Sequence, residues 1–142
     1  MDVLYKAHAT ASGGGRAGGR SHTDDGKIDV ALSVPKAMGG DDGPGTNPEQ
    51  LFAVGYAACY LGALRLVSQQ AGTPVGPDTK VHSGIGFGKN DHGEGYNISV
   101  DLKVTDHGLD KATIDALIAK AHQVCPYSNA TRGNVDVDLS AE

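Results

Sequence analysis

The stretch Thr46-Asn47-Pro48-Glu49-Gln50-Leu51-Phe52-Ala53-Val54-Gly55-Tyr56-Ala57-Ala58-Cys59-Tyr60-Leu61-Gly62-Ala63-Leu64 decides how the rest of the chain must be arranged. It opens on helix-start signals. Either Asn47 caps with Pro48 at the first helical position, or Thr46 caps and Glu49, three residues on, closes a capping box. Gly72 and Pro74 are stop signals, so the pattern predicts a helix over 48–70, 23 residues and roughly 34 Å at 1.5 Å per residue. From Leu51 to Leu64 nothing is charged and every face is apolar. A helix apolar all round is buried all round, and 142 residues offer little material to wrap one. The expectation is a homodimer whose protomers cover each other's central helices. The uncharged apolar run is 14 residues long, short of the roughly 20 that a membrane span needs, so no membrane insertion is expected.

On either side of this helix the period changes from helical to alternating. Val3, Tyr5, Ala7 and Ala9 alternate with Leu4, Lys6, His8 and Thr10, and Ile28, Val30, Leu32 and Val34 alternate up to Pro35, so both stretches read as strands. Between them Ser12-Gly13-Gly14-Gly15-Arg16-Ala17-Gly18-Gly19-Arg20 reads as a flexible loop carrying two arginines. Beyond the helix, Val81, Ser83, Ile85 and Phe87, the turn 90–95, and Tyr96, Ile98, Val100, Leu102 and Val104 form a β-hairpin pattern. Ile114, Leu117, Ile118, Ala121 and Cys125 share one face of a second helix, which Pro126 brings to an end. Tyr127-Ser128-Asn129 reads as a turn, and Val135, Val137 and Leu139 as a last strand. The order predicts an α+β fold, an antiparallel sheet packed around long buried helices, as a single domain over 1–142.

Composition narrows the function. Twelve Lys and Arg against 17 Asp and Glu give a net charge of −5, which argues against nucleic acid as a partner. Met1 to Lys6 has no basic segment followed by an apolar one, so no signal peptide is read and a cytoplasmic location is expected. A permanent structural disulfide between the two cysteines, Cys59 and Cys125, is not expected there.

Each cysteine has an unremarkable reading. Cys59, in an uncharged helix, reads as a small core hydrophobe. Cys125 lies at a helix C-terminus, where the dipole opposes a thiolate, but it could partner another sulfur. A reactive Cys59 needs a cation, because burial raises a thiol pKa. Arg16, Arg20, Arg65 and Arg132 are the candidates, and Arg65, about 600° further round the helix, faces away. Glu49 stands nearly three turns before Cys59 and about 80° off its face, where it could hold an arginine reaching toward the sulfur. His122 and Cys125 have H-x-x-C spacing, open to a Cys–His dyad or a metal, although no other histidines are paired. The glycine loop lacks the Gly-Lys-Ser/Thr ending of a phosphate loop.

These segments also carry a resemblance. Thr46 to Ala53, continued by Gly55-Tyr56-Ala57-Ala58-Cys59, resembles the cysteine helix of the organic hydroperoxide resistance proteins in the Ohr/OsmC family. Val124-Cys125-Pro126-Tyr127-Ser128-Asn129-Ala130-Thr131-Arg132-Gly133-Asn134 is similar to the second cysteine motif of the Ohr branch. Gly14-Gly15-Arg16 matches the arginine loop and Leu32-Ser33-Val34-Pro35 the strand after it, although Ala17 stands where the family often has Asp. The resemblance implies an OsmC-like intertwined homodimer and a thiol peroxidase with no bound cofactor. In that reading Cys59 attacks an organic or fatty-acid hydroperoxide and becomes a sulfenic acid. Cys125 resolves it as an intramolecular disulfide, and the dihydrolipoyl group of a lipoylated protein is the reductant. Arg16 would stabilise the thiolate and Glu49 would hold Arg16. An apolar pocket of Leu51, Phe52, Tyr56, Tyr60 and Leu61 would favour alkyl or aryl peroxides. The competing readings are an OsmC-branch peroxidase of broader range, a Cys–His hydrolase, and a non-enzymatic binding module.

Overall fold

A computed structural model describes residues 1–142. The chain divides into two compact units, Met1–Leu51 and Phe52–Glu142, and the long helix α1 (Pro48–Gln70) begins in the first and continues through the second. Its start follows the first of the two expected caps. The Asn47 Oδ1 accepts from the Gln50 N–H at 2.8 Å, with Pro48 at the first helical position. The capping box does not form, because Thr46 bonds the Gln50 side chain and Glu49 is engaged by Arg16.

The first unit holds a small antiparallel sheet, β1 (Ala9–Ser12), β2 (Arg20–Thr23) and β3 (Asp29–Ala31). The expected first strand begins later than its alternation suggests. Of the expected first strand only residues 9–12 pair with β2, so Val3 to Ala7 have no partner strand in their own chain, and Val3, Leu4 and Tyr5 lie exposed. The glycine loop between β1 and β2 is an ordered turn. Gly15–Ala17 makes a short 3-10 helix, closed by the Ala17 N–H on the Gly14 carbonyl and the Gly19 N–H on the Gly15 carbonyl. Gly15 has φ +56°, which a β-carbon would disfavour. These backbone bonds hold the turn with alanine at position 17.

The second unit holds β4 (Lys80–Lys89), β5 (Tyr96–Thr105) and β6 (Val137–Ala141), with α2 (Lys111–Val124) and α3 (Pro126–Thr131) between β5 and β6. β4 and β5 are the expected hairpin, in register from Lys80 opposite Thr105 to Lys89 opposite Tyr96. The sheet is mixed, which corrects the antiparallel expectation. β6 runs parallel to β5, because α2 and α3 carry the chain back before it re-enters the sheet. Tyr56, Tyr60, Leu64 and Val67 of α1, Val100, Leu102 and Val104 of β5, and Ile114, Leu117, Ile118 and Ala121 of α2 form one core. Asp110 caps α2 through the Thr113 N–H at 3.0 Å.

One further expectation is revised. Residues 127–129, expected as a turn, lie within the short helix α3 (Pro126–Thr131), in which Pro126 occupies the first position and so starts a helix as well as ending one. In addition, α1 is not buried on every face within one chain. Val54, Ala58, Gly62 and Leu66 recur every fourth residue on its exposed side, Val54 at 67% and Leu66 at 51% exposure. By length and hydropathy α1 could pass for a membrane span, but its other faces pack into the core described above.

Candidate active site

The two cysteines, 66 positions apart in sequence, meet in the second unit. The Cys125 thiol donates to the Cys59 sulfur across 3.6 Å, and both are free thiols. Cys59 comes from the middle of α1. Cys125 comes from the corner where α2 ends and α3 begins, serving as C-cap of one and N-cap of the other. Cys125 is fully buried, whereas Cys59 keeps partial exposure.

Three influences act on the Cys59 thiol. Burial, the largest, pushes its pKa up from the ordinary value. The backbone N–H of Tyr127 bonds the sulfur and pulls the other way. The neighbouring Cys125 thiol adds to the rise. Tyr127 is the second residue of α3, so its N–H is one of the first-turn donors that a helix leaves unsatisfied.

The Tyr127 ring lies over α1. Its centroid stands 5.6 Å from that of Phe52 and 5.5 Å from that of Tyr56, and Phe52 meets Tyr56 edge-on at 5.8 Å. Gly55 makes this approach possible, since a β-carbon there would come within 3.0 Å of the Tyr127 hydroxyl oxygen. Of the expected pocket residues, Tyr56 and Tyr60 are fully buried and back the site from the core. The Tyr60 hydroxyl donates to the Ile118 carbonyl at 2.7 Å, and burial raises its pKa. Phe52 stays partly exposed. Leu51 and Leu61 are partly exposed as well, and on an ideal helix they turn about 80° and 160° away from Cys59.

The first unit holds an ion pair of its own. Arg16 donates from Nη1 to Glu49 Oε2 at 2.9 Å and from Nη2 to Glu49 Oε1 at 2.7 Å, the two-pronged geometry that guanidinium and carboxylate favour. The Arg16 guanidinium holds the Glu49 carboxyl below its usual range, and Glu49 sits in the first turn of α1, where the helix dipole also favours an anion. Arg20, Arg65 and Arg132 are occupied elsewhere. Arg20 pairs with Asp29, Arg65 binds the Pro77 carbonyl, and Arg132 binds the Asn129 side chain and the His122 carbonyl. The His122 imidazole has a buried Nδ1 with no partner, and burial, together with the Arg132 charge, lowers its pKa.

Sequence reasoning did not single out Tyr127, Ser128 or Thr131, which the structure brings to this site. Pro126 following Cys125 was the available signal, because proline also suits the first position of a helix, whose first N–H groups must find acceptors.

An OsmC-like protein family model matches residues 39–140. The chain belongs to the OsmC-like family, in the branch of the organic hydroperoxide resistance proteins. It is 50% identical over 138 residues to the organic hydroperoxide resistance protein of Xanthomonas axonopodis pv. citri, covering 97% of this chain and 94% of that one. It is similar to the crystal structure of the organic hydroperoxide resistance protein OhrB of Bacillus subtilis, with TM-score 0.87, 42% identity, and coverage of 99% of this chain and 100% of that one. An organic hydroperoxide resistance protein from Elizabethkingia anophelis, crystallised with thiocyanate, gives TM-score 0.91 and 42% identity over 100% of this chain and 99% of that one.

Proposed function

We propose that the protein is a cysteine-based peroxidase that reduces organic hydroperoxides to alcohols, with Cys59 as the attacking sulfur and Cys125 as the resolving one. The observation that carries this reading is the 3.6 Å contact between two free thiols of unequal exposure, in a chain of the Ohr branch. A peroxide can reach the partly exposed Cys59, and Cys125, fully buried, meets Cys59. The Cys59 thiolate attacks the distal peroxide oxygen. The O–O bond breaks, the alkoxide takes a proton to leave as alcohol, and Cys59 becomes a sulfenic acid. The Cys125 sulfur then attacks Cys59, forming the S–S bond and releasing water. An external dithiol returns both to thiols by exchange, and family likeness favours a dihydrolipoyl group on a lipoylated protein for that role. Arg16, held by Glu49, supplies the charge that stabilises the thiolate and orients the peroxide. In support, the pair is preformed and Glu49 belongs to the helix that carries Cys59.

The surroundings of Cys59 favour alkyl and aryl peroxides, because each CH₂ removed from water contributes about 0.8 kcal/mol. The working form in this reading is a homodimer in the cytoplasm. The apolar stripe Val54, Ala58, Gly62 and Leu66 on α1 supports the dimer. The test is the mass of the protein after one equivalent of cumene hydroperoxide. Loss of two hydrogens, with the Cys59 and Cys125 peptides linked, is the expected outcome. An unchanged mass with the peroxide still present would overturn the proposal.

A further inference from the structure

We infer that Tyr56, Ser128 and Thr131 form a positioning device that sets the register between the two cysteines. It rests on the reading of Cys59 and Cys125 as the exchanging pair. The Tyr56 hydroxyl lies 2.9 Å from Ser128 Oγ and 3.1 Å from Thr131 Oγ1, and Thr131 donates to the Ser128 carbonyl at 3.2 Å. With its one proton on that carbonyl, Thr131 can only accept from Tyr56. Tyr56 has then spent its own proton, so Ser128 donates to Tyr56. The bonds form a closed ring, from the Ser128 hydroxyl through Tyr56 and Thr131 back to Ser128.

Two observations give this ring a role beyond filling the core. The first is cost. Tyr56 and Ser128 are fully buried and Thr131 nearly so, and buried hydroxyls are stabilising only when satisfied. Phenylalanine, alanine and valine would occupy the same volumes without that demand. The second is placement. Tyr56 stands three residues before Cys59 on α1, and Ser128 three residues after Cys125 at the start of α3. The ring therefore ties the two elements that carry the sulfurs, one step from each, beside the Tyr127 N–H that bonds Cys59. Hydrophobic contacts alone would let α3 slide along α1 by fractions of an ångström. Directional hydrogen bonds resist that slide, and a disulfide can close only within narrow limits of sulfur separation and angle.

The experiment separates this device from the peroxidase reading by closing the disulfide with diamide, a general thiol oxidant that takes up the two electrons and two protons without any peroxide. Closure is followed by stopped-flow quenching and peptide mass spectrometry in the full-length protein. Tyr56→Phe, Ser128→Ala and Thr131→Val each remove one hydroxyl and should slow closure about tenfold, the worth of one lost directional bond. After peroxide treatment they should carry more sulfinic acid on Cys59. Thr131→Ser, which keeps the hydroxyl, should close within about twofold of wild type, a rescue that the loss of packing volume alone would not give. Closure at the wild-type rate in the three hydroxyl-deleted variants would overturn the inference, as would equal slowing by Thr131→Ser and Thr131→Val. If one variant fails to fold, the remaining two decide the matter. Wild-type protein that closes with diamide but leaves cumene hydroperoxide untouched would defeat the peroxidase reading and leave the register device standing. Wild-type protein that closes with neither would defeat both.

Discussion

Gly55→Ala sets two opposed effects against each other, and their magnitudes decide the sign. Alanine in a helix interior is about 1 kcal/mol better than glycine, so by propensity the variant should be more stable. A methyl group at position 55 would meet the Tyr127 hydroxyl oxygen at 3.0 Å and its Cε2 at 3.3 Å. The ring has room to give, since Tyr127 is 38% exposed, but giving way draws it off Phe52 and Tyr56. Each of those aromatic contacts is worth about 0.5–1.5 kcal/mol beyond burial. The loss of both outweighs or cancels the propensity gain, and the expected net effect runs from neutral to about 2 kcal/mol of destabilisation.

Urea unfolding at fixed protein concentration measures this, and a double-mutant cycle isolates its cause. In a Tyr127→Ala background nothing stands over position 55, so Gly55→Ala should then stabilise by about 1 kcal/mol. The difference between the two backgrounds is a coupling of about 1–3 kcal/mol. The same displacement should register at Cys59 to the extent that it draws the Tyr127 backbone, whose N–H bonds the sulfur. Alkylation of Cys59 by iodoacetamide at pH 7 should slow in Gly55→Ala. A single variant that gains the full 1 kcal/mol or so, with unchanged alkylation, would refute the assignment of Tyr127 to this face of α1.

Two other perturbations have signs fixed by named contacts. Cys125→Ala removes a thiol whose hydrogen bond and charge both raise the Cys59 pKa. Cys59 should therefore alkylate faster near pH 7 while over-oxidising under peroxide, and slower alkylation would show that Cys125 helps form the thiolate. Asp106 is nearly buried, and burial alone would push its carboxyl up. Donation from the Thr79 hydroxyl and from the backbone N–H groups of Gly108, Gly76 and Leu109 instead holds it below its ordinary range. A depressed folded-state pKa contributes stability that is present above the unfolded value, near 3.9, and is lost as pH falls through the folded one. Asp106→Asn should cost about 2 kcal/mol at pH 7 and shallow the loss of stability below about pH 4, measured by urea midpoints across pH. Equal acid sensitivity in both proteins would refute the linkage.

What the sequence made legible follows the strength of its local signals. The bounds of α1 were readable because Asn47-Pro48 and Gly72 are explicit start and stop residues, and the hairpin was readable because two long alternating runs flank a glycine-bearing turn. The direction of β6 was not readable. Alternation in Val135, Val137 and Leu139 says that one face is buried and says nothing of which neighbour runs beside it. The first strand began too early in the reading because pairing needs a partner, and β2 supplies only four residues. At the candidate site the cysteines themselves attracted attention, whereas Tyr127 acts through its backbone N–H, which side-chain identity does not encode. The Arg16 and Glu49 pair was anticipated only through the family resemblance, since the residues alone left more than one candidate arginine, and both halves of its geometry depend on backbone order: a bonded 3-10 turn on one side and a capped helix on the other.

The corner at Cys125 gives a physical account of why the two sulfurs would have unequal roles. At the end of α2 a thiolate would face the negative pole of a helix, which disfavours charge there. At the start of α3, the same residue opens a turn whose Tyr127 N–H goes to Cys59 instead of to Cys125. One change of chain direction, imposed by Pro126, thus gives Cys59 a donor suited to a thiolate and leaves Cys125 enclosed. Exposure reinforces the division, because the donor-bearing sulfur is also the one solvent reaches. Exchanging the proposed roles would require Cys125 to hold charge at the end of α2 while fully buried, with no route for a peroxide.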